Sequence, residues 1–290
     1  MQVQTASTHD GSLLRSIRST LDESDEALLA VAFVSEAGVH LLRDQLRRLG
    51  SRTRLLVTTT FGTTSPVALK MASDLGADVR TLNPGSGTYH PKAFLTRSAD
   101  GRAAAVVGSS NLTGGLIVNV EVATALRGRL DHQPIADAWR WAEATWEHPA
   151  TTRWQATVGE ELPRHSFHPL LLAALQREVE REPLFATLTH GKPNRVVAAT
   201  PSGLYVETQD SLRKGTPPQL VPSWMFELAY EALRARGRLT QQEVLNTLNI
   251  KRSAAVCAIL ARLDEVAVAK EGRATVLLWR PDPPDPTWAR

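Results

Sequence analysis

Apolar positions between residues 26 and 82 follow two alternating periods. EALLAVAFV, residues 26–34, is a continuous apolar run of strand length, as a buried strand requires. Residues 36–49, EAGVHLLRDQLRRL, put Val39, Leu41, Leu42, Leu46 and Leu49 on one stripe and predict a helix. RLLVTTT (54–60) predicts a second strand. SPVALKMASDLG predicts a second helix, with Ser65 as its N-cap and Pro66 at its first position. ADVRTL (77–82) predicts a third strand. Strands alternating with helices imply a mainly parallel sheet with helices on its faces.

After residue 90 the pattern changes. KAFLTRSADGRAAAVVG sets two apolar runs around Ser-Ala-Asp-Gly, a hairpin signal with Asp100-Gly101 at its turn. VNVEVATAL (118–126) reads as a further strand, and residues 131–147, with Trp139, Trp141 and Trp146, as a helix. Residues 1–148 therefore read as one α/β domain, a mixed sheet flanked by helices. Residues 149–222 are rich in Pro and Thr. They hold a helical stretch near 169–180 and two strand-like runs, RVVAAT and GLYVET, and read as a connecting subdomain. Residues 223–282 are more regular. SWMFELAYEALRARG is a helix stopped at Gly237, Thr240 and Glu243 form a capping box for a second, KRSAAVCAILARL is a third, and VAVAKEGRATVLLW is a hairpin. That order predicts a winged helix-turn-helix-like domain, with 283–290 as a tail. Its third helix would present Lys251, Arg252 and Ser253 at the end where recognition helices meet DNA. Winged helices also dock proteins.

Composition narrows the class. The chain has 290 residues, 42% hydrophobic and 22% charged, the mix of a soluble globular protein. No apolar run approaches the ~20 residues of a membrane span, and the N-terminal MQVQTASTHDGSLLRS lacks a basic-then-apolar leader, so no membrane partner is expected. Cys257 is the single cysteine, which excludes an intrachain disulfide and a cysteine-cluster metal site and points to a reducing cytoplasm. Residues 211–280 hold eleven Lys/Arg against six Asp/Glu, so this segment carries +5 of a total of +3. A basic C-terminal module suits nucleic acid.

The chemistry concentrates between residues 90 and 121. His90 and Lys92, two apart on a strand, project to one side. The turn at Asp100-Gly101 returns the chain, so Ser109, Ser110 and Asn111 emerge beside His90 after Gly108. Glu121 follows on the next predicted strand, between Val120 and Val122. An imidazole, an ammonium, a carboxamide with a hydroxyl, and a carboxylate thus converge on one sheet end. The set suits phosphoryl transfer. A histidine nitrogen can attack phosphorus or protonate a leaving oxygen, Lys92 and Asn111 can hold the non-bridging oxygens, and Glu121 can orient the imidazole. No histidine or acidic cluster with metal-ligand spacing accompanies them, so neither a metal nor a cofactor is expected.

His-Pro-Lys followed by Val-Gly-Ser-Ser-Asn-Leu-Thr-Gly-Gly and Asn-Val-Glu resembles the HKD motif of the phospholipase D superfamily, in the version of its bacterial nuclease branch. The resemblance spans roughly residues 25–147. It implies a metal-independent phosphodiesterase working through a covalent phosphohistidine, with His90 as nucleophile or general acid and Lys92, Ser109 and Asn111 on the phosphate. Where the family pattern has Asp, five residues after the Lys, this chain has Arg97. The supporting acid is then Glu121, with Asp100 a turn residue. The superfamily pairs two motifs about a two-fold axis. The only other His-x-Lys, at His190 and Lys192, lacks a following Gly-Ser-x-Asn, and His168 lacks the Lys. The resemblance therefore implies a homodimer sharing one site, acting on DNA in restriction, defence or repair, with a helicase or other defence-system component as a candidate further partner. The alternatives are a phospholipid or small phosphodiester hydrolase, and a non-catalytic DNA-binding dimeric regulator. Thr58, Thr59 and Thr60 read as β-branched strand residues, the tryptophans as core or dimer contacts, and Cys257 as buried and inert.

Overall fold

The apolar run at residues 26–34 becomes the central strand of a mixed sheet in a computed structural model of the chain, which describes residues 1–60, 62–84, 87–156, 166–272 and 274–280. The chain divides into two compact units, Met1–Arg164 and His165–Arg290. The first contains β1 (Gln2–Ser7), α1 (Ser12–Asp22), β2 (Glu26–Val31), α2 (Glu36–Leu41), α3 (Arg43–Leu49), β3 (Thr53–Val57), α4 (Pro66–Asp74) and β4 (Asp78–Leu82). There follow β5 (Lys92–Arg97), β6 (Arg102–Gly108), α5 (Gly115–Val118), β7 (Val122–Arg129), α6 (Gln133–Trp146) and β8 (Thr151–Arg153).

Eight strands pair in the order β1-β7-β6-β5-β2-β3-β4-β8. Only β2, β3 and β4 run parallel, so the mainly parallel sheet expected from the alternation is confined to that third of it. From β2 outward through β5, β6, β7 and β1 every pairing is antiparallel. The short link Ser98–Gly101 accounts for the β5–β6 pairing: four residues can only reverse a chain, whereas a parallel neighbour needs a crossover. β8 adds an antiparallel edge beside β4, so this sheet continues past residue 148.

Helices cover both faces. Ala93, Leu95, Ala103 and Ala105 of the hairpin pack with Leu28, Ala30, Ile135, Trp139 and Trp146 in one core cluster under α6. The alternate residues Phe94, Thr96, Ala104 and Val106 are buried as well, and α1 packs on these same strands. Ser65 caps α4 by accepting from the Ala68 N–H, with Pro66 at its start. Three local expectations change. The helix expected over 36–49 is interrupted at Leu42, whose backbone (φ −109°, ψ 13°) ends α2 and starts α3. The strand expected over 118–126 starts only at Val122: Val118 ends α5 and residues 119–121 form a short irregular link, so Glu121 immediately precedes β7 instead of lying inside it. β1 and α1, from a segment with no predicted element, add a further strand and helix.

The second unit holds α7 (Pro169–Arg181), β9 (Leu184–Ala186), β10 (Pro193–Thr200), β11 (Gly203–Thr208), α8 (Gln209–Lys214), β12 (Gln219–Pro222), α9 (Ser223–Arg236), β13 (Arg238–Thr240), α10 (Gln241–Asn246), α11 (Ser253–Leu260), β14 (Val266–Glu271) and β15 (Ala274–Trp279). The helical stretch near 169–180 forms α7, and RVVAAT and GLYVET pair as β10 and β11; β9 and β12 extend them to a four-stranded antiparallel sheet, β12-β11-β10-β9, with α7 beside β10. A three-stranded sheet, β13-β15-β14, closes α9, α10 and α11. Gly237 ends α9 at φ 70°, a left-handed cap that favours glycine. Thr240 and Glu243 cap α10 reciprocally, as their spacing predicts. Cys257 is buried in α11. Among the described residues no helix is long and apolar enough to cross a membrane.

Candidate active site

At the end of the sheet where β5 begins, β2 and β6 end. His90 and Pro91 lead into β5, and the Ala32 N–H donates to the Pro91 carbonyl at 2.9 Å, so the sheet ladder continues to the residue beside His90. Tyr89, one residue earlier, is buried in the core cluster, and its hydroxyl donates to the Leu56 carbonyl at 3.4 Å. Burial drives the Tyr89 phenol far above its ordinary pKa, so it stays neutral. A buried side chain on one side of His90 and a paired strand on the other hold the exposed imidazole in place. The Phe33 and His90 rings meet in a T-shaped contact, centroids 5.6 Å apart.

Lys92 lies beside the imidazole. Its ammonium is 2.8 Å from Nδ1, 3.1 Å from Nε2 and 3.0 Å from the His90 carbonyl. Partial burial lowers the Lys92 pKa, opposed by the charge of Glu121. The ammonium thus stands directly beside the exposed imidazole.

The returning strand delivers the second half of the set. Gly108 ends β6 against β7, and a Cβ there would lie 2.3 Å from the Val122 carbonyl oxygen, so only glycine lets the strands approach. Ser109 donates its hydroxyl to Glu121 Oε2, while the Val122 N–H donates back to Ser109 Oγ at 3.2 Å. Asn119 Nδ2 donates to the other Glu121 oxygen at 3.0 Å. The Glu121 backbone is pinned by Thr8: the Glu121 N–H donates to Thr8 Oγ1 at 3.0 Å and the Thr8 N–H to the Glu121 carbonyl at 3.1 Å. Glu121 therefore orients Ser109 and makes no hydrogen bond to His90 within the chain, contrary to the expected imidazole contact. The break before β7 explains it, since Glu121 follows a turn and not the strand's alternation.

Asn111 faces the site from the same loop. Its Oδ1 accepts from the Phe33 N–H at 3.1 Å. A backbone N–H can only donate, so this fixes the carboxamide and leaves Nδ2 as a donor for a ligand. Ser110, between the two, is buried. The loop is seated on α2: the Ser35 N–H donates to the Leu112 carbonyl at 3.1 Å, and a Cβ on Gly38 would come within 1.9 Å of that oxygen. Tyr89, Phe33, Gly38 and Thr8 escaped the sequence reading, and Asn119 entered it only as part of the quoted Asn-Val-Glu, with no role. Only Gly38 left a signal there, as a glycine inside a helical pattern.

Other singled-out residues lie elsewhere. Asp100 sits at the far end of the hairpin, accepting from the Arg102 N–H at 3.0 Å and its guanidinium at 2.7 Å. Arg97 pairs with Glu26 at 2.8 Å and Glu143 at 3.1 Å and stacks over Trp139. Trp139 and Trp146 are core residues, whereas Trp141 is 44% exposed. His168 caps α7, accepting from the Leu170 N–H at 3.3 Å, and His190 lies in the turn between β9 and β10. In the second unit Lys251 is exposed, Arg252 is half-buried and hydrogen-bonded to Gln219 at 2.5 Å, and Ser253 is only 4% exposed. Ser253 thus starts α11 from inside the fold, because its position faces the packed side of the helix.

No family model matches the chain, and no curated protein matches it. Solved structures with partial likeness include Nuc, a phospholipase D family member from Salmonella typhimurium: 16% identity over 53% of this chain and 99% of that one, TM-score 0.41. NucT from Helicobacter pylori is 14% identical over 53% and 99%, TM-score 0.40. Phosphatidylserine synthase from Haemophilus influenzae is 16% identical over 62% and 45%, TM-score 0.39.

Proposed function

We propose that this chain is a metal-independent phosphodiesterase of the phospholipase D type that cleaves DNA, with one active site shared by two copies. The observation that carries the reading is the convergence of His90, Lys92, Ser109 and Asn111 from the two ends of one hairpin onto one end of the sheet, with the Lys92 ammonium 2.8 Å from the imidazole.

In the proposed reaction a neutral His90 attacks phosphorus with a ring-nitrogen lone pair. The P–O bond to the leaving strand breaks as the N–P bond forms, and His90 of the second copy gives its proton to the departing oxygen. That same histidine then takes a proton from water, whose oxygen attacks phosphorus, and the N–P bond breaks to return free imidazole and a phosphomonoester. Lys92 and the Asn111 Nδ2 donor stabilise the charge on the non-bridging oxygens in both steps. Ser109, held by Glu121, is a third donor candidate.

Two features support the shared site. The chain has one copy of the motif. On the face that α6 covers, the sheet is left open next to the site, where Val3, Val107 and Val122 are 58%, 42% and 54% exposed. Val107 and Thr124 are cross-strand partners, as are Thr124 and Thr5, and such partners share a face. A second copy would cover this patch. Winged-helix reading of α9 to β15, with Lys251 and Arg252 exposed or half-exposed before α11, supports DNA as substrate.

The test is hydrolysis of a chromogenic phosphodiester and of labelled DNA with EDTA present. Activity that survives EDTA and falls by at least ~10²-fold in His90→Ala supports the reading; an active His90→Ala protein sinks it.

A further inference from the structure

Two strands from His90, on the same sheet end, three hydrogen-bond donors converge on one oxygen. The Thr58 hydroxyl, the Thr59 N–H and the Thr60 hydroxyl approach Asn83 Oδ1 at 2.8, 3.0 and 3.2 Å. A backbone N–H can only donate, so the facing carboxamide atom is oxygen, and Asn83 Nδ2 in turn donates to Thr59 Oγ1 at 2.9 Å. Thr58 is fully buried, and the Thr64 hydroxyl donates to its carbonyl at 2.6 Å. The floor of this nest belongs to the sheet, whereas Thr60 and Asn83 are exposed.

The ladder ties the nest to the active site. The Thr58 N–H donates to the Ala32 carbonyl at 3.0 Å, and the Ala32 N–H donates to Pro91, between His90 and Lys92. At ~4.8 Å per strand the nest lies about 10 Å from the reacting pair. A nucleic-acid strand carries a phosphate at every nucleotide, so one near the scissile linkage along the strand can reach that far. Half-exposed Phe33 lies at the end of the strand between them.

We infer that Thr58, Thr59 and Thr60 form a subsite for a backbone phosphate oxygen flanking the scissile linkage, plugged in the free chain by the Asn83 carboxamide. The inference rests on the phosphodiesterase reading and adds to it a substrate class, a polynucleotide strand gripped at two points. Hydroxyl and N–H contacts to phosphate set the register of a strand without reading its bases. Being uncharged, they add affinity without steepening its salt dependence.

A mere loop clamp would also use these hydrogen bonds, and opposite signs separate the two. Thr60→Val keeps the shape and removes a donor. It should raise KM for an eight-nucleotide single-stranded DNA about five-fold, the worth of one hydrogen bond. Asn83→Ala removes the plug and should lower that KM by a similar factor, a gain that damaged folding cannot produce. Asn83→Asp, isosteric, holds the donors and repels phosphate, and should raise KM more than ten-fold. All three should leave kcat/KM for a small chromogenic phosphodiester within two-fold of wild type. Should Asn83→Ala weaken the strand as Thr60→Val does, should Asn83→Asp leave KM unchanged, or should the variants slow the small diester equally, the subsite is overturned while the phosphodiesterase reading stands. Wild-type protein that cleaves no small diester sinks both.

Discussion

At the scale of single residues, the site depends on positions that carry no chemistry. Gly38, the third residue of α2, meets the Leu112 carbonyl, and a Cβ would come within 1.9 Å of that backbone oxygen. Backbone cannot swing aside as a flexible side chain can, so Gly38→Ala must push the 109–113 loop away from the sheet. Such overpacking costs about 1–3 kcal/mol. Asn111 would lose its contact with the Phe33 N–H. We expect diester turnover to drop at least ten-fold and the urea midpoint to fall, both measurable on the purified variant. Gly38 was visible in the sequence only as a helix-weakening residue. Its reason, a close approach from residues over seventy positions away, belongs to the tertiary structure.

Among the elements, α2 ties stability to pH. His40, in its last turn, is held down to about 4 by burial, with Arg43 adding to the effect. The unfolded chain takes up that proton near pH 6.5, whereas the folded chain resists until about 4. Stability from this group is therefore complete above pH 6.5 and is lost as pH falls toward 4, by at most about 3 kcal/mol. Urea unfolding at pH 7.5 and 4.5 should show this loss in wild type, with a shallower decline in His40→Gln. The elements themselves were unequally legible. β2, with a continuous apolar run, and the β5–β6 hairpin, with its Asp-Gly turn, announce themselves by pattern. β1, QVQTAS, is exposed along most of its length and so has no apolar alternation to reveal it. VNVEVATAL alternates as a strand should, yet its first four residues lie outside β7, with Val118 ending α5.

For the whole molecule, the proposed dimer makes the sharpest demand. If the open sheet face at Val107 and Val122 is where a second copy sits, a charge there must be desolvated without a partner. Val122→Arg should yield a monomer in sedimentation and lose diester turnover, while unfolding as wild type does, since Val122 is 54% exposed in the single chain. A Val122→Arg protein that stays dimeric or stays active would remove this face from the proposal. The second unit carries the basic segment, and DNA affinity supplied by it should fall steeply with salt.

Residue types and spacing determined the hairpin, the helix caps at Ser65 and Thr240, and the meeting of His90 and Lys92 with the 109–111 loop at one sheet end, because turns, caps and i to i+2 faces are decided by neighbours in the chain. The partners of the polar side chains came only with the tertiary structure. Glu121 turned to Ser109 and Asn119, Arg97 to Glu26 and Glu143, and Thr58, Thr59 and Thr60 to Asn83. Apart from the local Asn119–Glu121 bond, these contacts join segments distant in the chain, placed by the pairing of the strands and by how both sheet faces are buried. A shift of one residue would turn every side chain to the other face, so no local pattern could have specified them.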